Sequence, residues 1–401
     1  MSLTLGTAAA LDSYSGTADH RTASICRLSD TKYLVAYVYA SSSSGRAVIC
    51  DVSGTTVTVG TPLVVVTGTD INDVKAVTLT STTVAYFYSV PGDSIGKSLI
   101  LSVSGSTITA NTGYTFENAY TEWFDVCALS STVLLLTYKK TTLTYYGKVC
   151  TISGTTMSFG SIVQIASDFN QYPSVVALSS TKAVVVYNIS TTLYGRAKVA
   201  TISGDSVSFG SLATFSTSSV ANIKNLTKIA DNKVALIYGV TSPSASTAVK
   251  IGTVGSTTIS FGSASEIIDE RGYYGLDILY TSKGQLVVIY NDPYDSGYPG
   301  MVAIGRNVAG TITFTEKTEY DSSISINSYI EELTTGKAII VYEGHTRIVT
   351  IPTPVAVFNS KINIGDSWKT IDKIQINIGD SWKDVADANI NIGDSWKNLD
   401  T

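Results

Sequence analysis

Only two histidines, His20 and His345, stand in 401 residues, which excludes an HExxH helix and any multi-histidine metal centre. No G-x-S-x-G occurs, so the nucleophile elbow of a hydrolase is missing as well. The four cysteines, Cys26, Cys50, Cys127 and Cys150, are few for a disulfide scaffold of this length, and their spacing matches no zinc pattern. Charged residues make up 15% of the chain, the net charge is -5, and lysine and arginine never form a block. That composition argues against nucleic acid or an anionic membrane as partner. No apolar run approaches the ~20 residues that span a bilayer. The opening MSLTLGTAAALDSYS lacks the basic stretch of a secretory signal, so neither Sec export nor membrane insertion is expected.

What the chain has in quantity is Ser, Thr, Val, Ile, Gly and 24 tyrosines, the set that suits pleated strands and tight turns. One phrase, a turn followed by an apolar strand ending in tyrosine, recurs as LSDTKYLVAY, LTSTTVAYFY, LSSTVLLLTY, LSSTKAVVVY, IADNKVALIY, YTSKGQLVVIY and LTTGKAIIVY. Its final tyrosines are Tyr37, Tyr88, Tyr138, Tyr187, Tyr238, Tyr290 and Tyr342, at steps of 49 to 52 residues. A second phrase interleaves with it: CDVSGTTVTVG, LSVSGSTITAN, CTISGTTMSFG, ATISGDSVSFG, GTVGSTTISFG and the weaker RNVAGTITFTE. It reads as strand, glycine turn, strand. About four short strands per 50 residues is the pattern of a propeller blade.

The expected fold is therefore all-β: a seven-bladed β-propeller over residues 1–352, a linker at 353–358, and a small β-repeat module at 359–401. Leu3-Thr4-Leu5-Gly6-Thr7 matches Val57-Thr58-Val59-Gly60-Thr61 position for position. Residues 1–12 should accordingly supply the outer strand of the last blade and close the ring, pairing edges that would otherwise invite aggregation. The cysteines fall at equivalent positions of blades 1 and 3, and within a blade the tyrosine strand separates the two, placing them beyond disulfide reach. They are expected to be structural thiols.

In a propeller, the loops joining strands two and three and those joining successive blades emerge on one face. Here these are the long, varied loops, and variation on a rigid scaffold marks a binding face. They carry Trp123, Tyr145, Tyr146, Tyr172, Tyr194, Tyr273, Tyr274, Tyr294 and Tyr298 beside Asp292 and Asp295. Aromatic plates next to carboxylates suit sugar rings or a protein epitope, although such rings also serve to cover blade seams. Gly92-Asp-Ser-Ile-Gly96-Lys97-Ser98 mimics a phosphate loop, but Gly96-Lys97 aligns with the Gly45-Arg46 and Gly195-Arg196 that open third strands. Acidic pairs such as Asp269 and Glu270 leave a glycosidase conceivable. No catalytic constellation, metal site or cofactor motif emerges, and a non-enzymatic role is expected.

The C-terminus repeats INIGDSWK three times at a fourteen-residue step. Ile362, Ile364, Trp368, Ile376, Ile378, Trp382, Ile390, Ile392 and Trp396 recur as an apolar set. A module this small lacks an adequate core of its own, so the set is expected to be an assembly interface. It would be buried against copies of itself in a homo-oligomer such as a trimer, against the propeller, or against another protein.

The seven LSSTKxVVVY and TISGTTxSFG units resemble propeller repeats of bacteriophage virion proteins of the tail-fibre, receptor-binding and head-decoration kind. The terminal array is similar to the W-K repeats that end many phage structural proteins. The resemblance implies a virion location, other virion proteins as partners, and a propeller face that binds a host receptor or surface glycan. The alternative is a lectin-like or polysaccharide-processing bacterial propeller.

Overall fold

In the computed structural model, residues 3–352 are described apart from 13–19, 40–41, 68–70, 72, 91–94, 141–142, 171–172, 243–244, 269–275, 293–297, 309–310 and 325–326; beyond 360 the description covers the backbone of six short strands. Seven antiparallel sheets follow one another along the chain. Blade 1 shows the plan. His20–Ser29 lies innermost, then Lys32–Tyr39, then Ser44–Ser53, and the outer edge is split into Thr56–Val59 and Leu63–Val66, both paired to the third strand. Six of the seven sheets have five strands because of this split, where four were expected; blade 6 alone has four, its outer edge being the single strand Thr311–Ile324. The innermost strand of blade 1 lies beside those of blades 2 and 7, and the ring closes.

The turn glycines Gly54, Gly105, Gly154 and Gly204 all have φ between 60° and 62°, the left-handed conformation a tight hairpin demands and glycine adopts without a Cβ clash. Second strands read as unbroken apolar runs because each blade is covered on both faces. Tyr33, Leu34, Val35, Ala36, Tyr37 and Val38 are all 0% exposed, and alternate ones belong to the two flanking clusters.

Closure follows the expected route. Thr4–Leu5 and Ala9–Ala10 pair with His345–Thr350, the third strand of blade 7. The Gly6 N–H donates to the Ile348 carbonyl at 2.8 Å, as Gly60 does to Ile49, Gly160 to Val149 and Gly210 to Val199 at 2.8–2.9 Å. Leu3 is buried in the core of blades 6 and 7, and Leu11 in that of blades 7 and 1.

The four cysteines are free. Cys26 pairs with Leu34 and Cys127 with Leu135, while Cys50 faces Tyr33 and Cys150 faces Leu134, equivalent places in blades 1 and 3. Burial pushes the Cys26, Cys50 and Cys150 thiols up to about 12, which leaves them protonated and inert. Ser2–Ile351 forms one compact unit and Pro352–Thr401 belongs to a second. In the second unit each INIGDSWK copy forms its own two-stranded hairpin: Lys361–Asn363 with Trp368–Thr370, Gln375–Ile378 with Ser381–Asp384, and Asn389–Asn391 with Trp396–Asn398.

Candidate functional site

Repeat tyrosines lie in the later part of the second strands and turn their rings into the seam with the preceding blade. Tyr138 meets Phe116 edge-on at 5.5 Å, Tyr238 meets Phe215 at 5.3 Å, and Tyr342 meets Tyr320 at 5.2 Å. Phe116 and Phe215 reach the seam because each is the extra residue at a register shift in its outer strand. A cation then spans the seam. Lys148 Nζ donates to the Phe116 carbonyl at 2.7 Å, Lys198 to Ile165 at 2.8 Å and Lys250 to Phe215 at 2.6 Å; Arg347 donates to Tyr320. Burial holds these three lysines below the ordinary ammonium pKa.

Between blades 4 and 5 this seam opens into a groove of about 490 Å³, a volume in the range of small-molecule sites. Phe215 and Tyr238 form its floor. Lys250 and the exposed Glu266 stand on the blade 5 side, and the hydroxyls of Ser216 and Ser218 on the blade 4 side. Burial pushes the Tyr238 phenol up to about 12, so it stays a neutral donor and acceptor. The groove thus offers an ammonium, a carboxylate and several hydroxyls over an aromatic floor, the mixture that a polyhydroxylated ring satisfies.

A second polar constellation surrounds the axis. Ser24, Lys75, Asp125, Ser174, Asn225, Asp277 and Tyr329 each stand thirteen residues before a repeat tyrosine, as Ser24 does before Tyr37. The first six each reach the following blade. Ser24 Oγ donates to the Ala76 carbonyl at 2.9 Å, and Lys75 Nζ lies 3.2 Å from Asp125 Oδ1. Asp125 Oδ2 accepts the Val175 N–H at 2.9 Å, Ser174 donates to Asn225 at 3.1 Å, and Asn225 to Asp277 at 2.6 Å. Asp277 Oδ2 accepts the Ile330 N–H at 2.8 Å, and Tyr329 lines the same axial cavity as Ala23 of blade 1. The cavity inside the ring measures about 180 Å³. Burial raises Asp277 to about 6 and Asp73 and Glu331 to about 7. Burial opposes the charge on Lys75, yet Asp125, Tyr329 and Asp73 together outweigh it and leave the ammonium pKa raised. With its groups bonded to one another, this ring fastens the blades.

The residues expected on the loop face scatter. Tyr145 is corrected: it is fully buried, stacked on Phe169 at 4.5 Å, because the third strand of blade 3 begins at Thr144 and already includes it. Tyr146, next on that strand, is half-buried with its ring 6.5 Å from Tyr138. Trp123 sits half-buried at a bulge with φ 40°, under the Lys139 ammonium at 4.1 Å. Tyr194 is half-buried against the Arg196 guanidinium at 5.6 Å, and Asp292 is half-buried with its N–H bonded to the Pro299 carbonyl. Tyr298 is 42% exposed. Tyr172, Tyr273, Tyr274, Tyr294 and Asp295 lie outside the described residues. So do the side chains of Ile362, Ile364, Trp368, Ile376, Ile378, Trp382, Ile390, Ile392 and Trp396. Neither the groove residues Lys250 and Glu266 nor the axial ring was singled out from sequence. The ring left a trace there, a polar residue at constant distance before each tyrosine, but its members belong to different chemical types.

No protein-family model and no curated protein matches the chain. Solved structures do resemble it. The BP39L lectin from Burkholderia pseudomallei aligns over 83% of this chain and 96% of its own, with a TM-score of 0.58 and 9% identity. The periplasmic gluconolactonase of Pseudomonas aeruginosa aligns over 82% and 88%, with a TM-score of 0.58 and 9% identity. Sqt1 from Chaetomium thermophilum aligns over 83% and 97%, with a TM-score of 0.51 and 9% identity. At these identities the likeness establishes the propeller fold and no more.

Proposed function

We propose that this chain is a lectin-like, non-catalytic propeller that binds a neutral saccharide in the groove between blades 4 and 5. The observation that carries the reading is the groove itself, with Glu266 and Lys250 facing hydroxyl-bearing walls over Phe215 and Tyr238. A carboxylate accepts sugar hydroxyls, an ammonium donates to them, and the aromatic floor takes the apolar face of the ring. Its single carboxylate suits binding better than hydrolysis, since glycoside cleavage ordinarily needs two carboxyl groups about 5–9.5 Å apart. A propeller lectin among the structural neighbours supports the reading.

An array of defined saccharides probed with the full chain tests it. We expect at least one neutral saccharide to bind, and Glu266→Gln to weaken that binding about 10-fold, close to 1.4 kcal/mol. An array with no bound saccharide, or a hit indifferent to Glu266→Gln and Lys250→Ala, would remove the groove as the site.

The terminal array favours a second reading, about where the lectin works. Two-stranded hairpins are marginal alone, and INIGDSWK builds three separate ones. Their apolar residues call for a partner surface, either a further copy of the chain or a virion to which the propeller would be attached. Removing residues 359–401 should leave the melting temperature of the propeller unchanged and abolish oligomerisation or particle association, read by light scattering and by proteomics of purified particles. A truncated chain that assembles as the full one does would end this proposal.

A further inference from the structure

The opening of the seam between blades 4 and 5 follows from strand register. In each blade the residue opposite the repeat tyrosine on the third strand lies beside that ring on the same face of the sheet. These residues are Arg46, Lys97, Tyr146, Arg196, Ala248, Met301 and His345. Six are long and half-buried; only Ala248 has nothing beyond Cβ. Several of the long ones visibly cover their seam. Arg46 lies 3.6 Å over the Tyr39 ring with a nitrogen 3.8 Å from Asp12, and the His345 ring stacks 5.8 Å from Tyr342. On its other side Ala248 pairs with Glu266, so blade 5 presents the row Tyr238, Ala248, Glu266 with no side-chain atom beyond Cβ at its centre.

Blade 6 carries almost the same row under a cover. Tyr290 pairs with Met301, and Met301 pairs with the exposed Glu319. Lys317 Nζ donates to the Ile267 carbonyl of blade 5 at 3.4 Å, as Lys250 does to Phe215. The tyrosine, the seam-spanning lysine and the carboxylate of the open groove are all present there, and Met301 fills the space between them.

We propose that the residue opposite the repeat tyrosine is the gate of its seam, and that Ala248 makes this propeller monovalent by opening the groove between blades 4 and 5. The saccharide ligand rests on the reading above; the gate rests on register alone.

Crystals of the full chain soaked in glycerol test the gate without any saccharide. Wild type should hold ordered glycerol over Tyr238 and in no other described seam, and Ala248→Arg should lose it. Met301→Ala should gain a second molecule over Tyr290. Should Ala248→Arg fail to fold, Ala248→Met, which installs the side chain blade 6 already tolerates, replaces it. Titration calorimetry with a saccharide identified on the array should then give one site per chain for wild type and two for Met301→Ala. Glycerol spread over several wild-type seams, or a Met301→Ala crystal with the Tyr290 seam still filled by protein, overturns the gate. If glycerol follows the gate while no saccharide binds, the gate stands and the glycan reading falls. If a saccharide binds wild type but Met301→Ala still counts one site, the gate falls.

Discussion

The axis and the seams of this propeller treat seven-fold symmetry in opposite ways. Near the axis, seven equivalent positions carry Ser24, Lys75, Asp125, Ser174, Asn225, Asp277 and Tyr329, and the first six each make a polar link to the next blade. At the seams, seven equivalent positions carry six long side chains and one alanine, and that exception coincides with the groove of about 490 Å³. A polar link tolerates several chemistries because donor and acceptor roles interchange along the ring, whereas a filled seam tolerates no missing volume. A repeat protein can therefore diversify its axis without losing closure, and acquire a site by losing one side chain.

The largest effect should come from unfastening the ring. Deleting residues 1–12 removes the closing strands of blade 7 and the buried Leu3 and Leu11. At about 1.5–3 kcal/mol per buried leucine, a loss of about 3–6 kcal/mol is expected before backbone pairing is counted. Chemical denaturation should show it as a large fall in midpoint, and a midpoint close to wild type would mean that closure contributes little.

Next in size is the axis. Asp277→Ala strips partners from the Ile330 N–H, the Ile278 N–H and the Asn225 amide. Unsatisfied buried groups cost about 1–3 kcal/mol each, and we expect a destabilisation of about 2–4 kcal/mol, with saccharide binding in the distant groove retained. If binding falls in proportion to stability, axis and seam are not the independent regions drawn above.

The last test is a pH dependence. Asp73, Asp277 and Glu331 have folded pKa values of about 7, 6 and 7, above the ~3.9 and ~4.3 of free carboxylates. The folded state thus holds these protons more tightly than the unfolded chain does. Their stabilisation is complete below about pH 4 and is lost as pH rises through about 6 to 7. The melting temperature should decline from pH 5 to pH 8. Asp277→Asn should remove the part centred near pH 6. A melting temperature that rises across that interval would contradict the axial assignment.

Much of the scaffold was legible before any coordinates. The tyrosine phrase located every second strand, and the match of Leu3–Thr7 to Val57–Thr61 located the closing strand, because hydrophobic period and turn glycines are local properties. The split outer edge was not legible. The break at Gly60-Thr61-Pro62 lengthens no apolar run, and only pairing to the third strand shows that Leu63–Val66 continues the blade. Tyr145 illustrates the opposite failure. Tyr145 was expected on the loop between strands two and three, whereas the register pairs Tyr145 with Lys139 and Tyr146 with Tyr138, inside the third strand.

The amino-acid sequence by itself determined an all-β chain, seven blades, a ring closed by its own N-terminus, and cysteines that do not cross-link. These follow from periodicity and spacing along one strand at a time. Tertiary structure alone decided that Phe215, Tyr238, Lys250 and Glu266 share one groove and that seven residues of five types surround the axis together. Both depend on which side chains face each other across blades some fifty residues apart, and that is fixed by sheet register and the packing of one blade on the next.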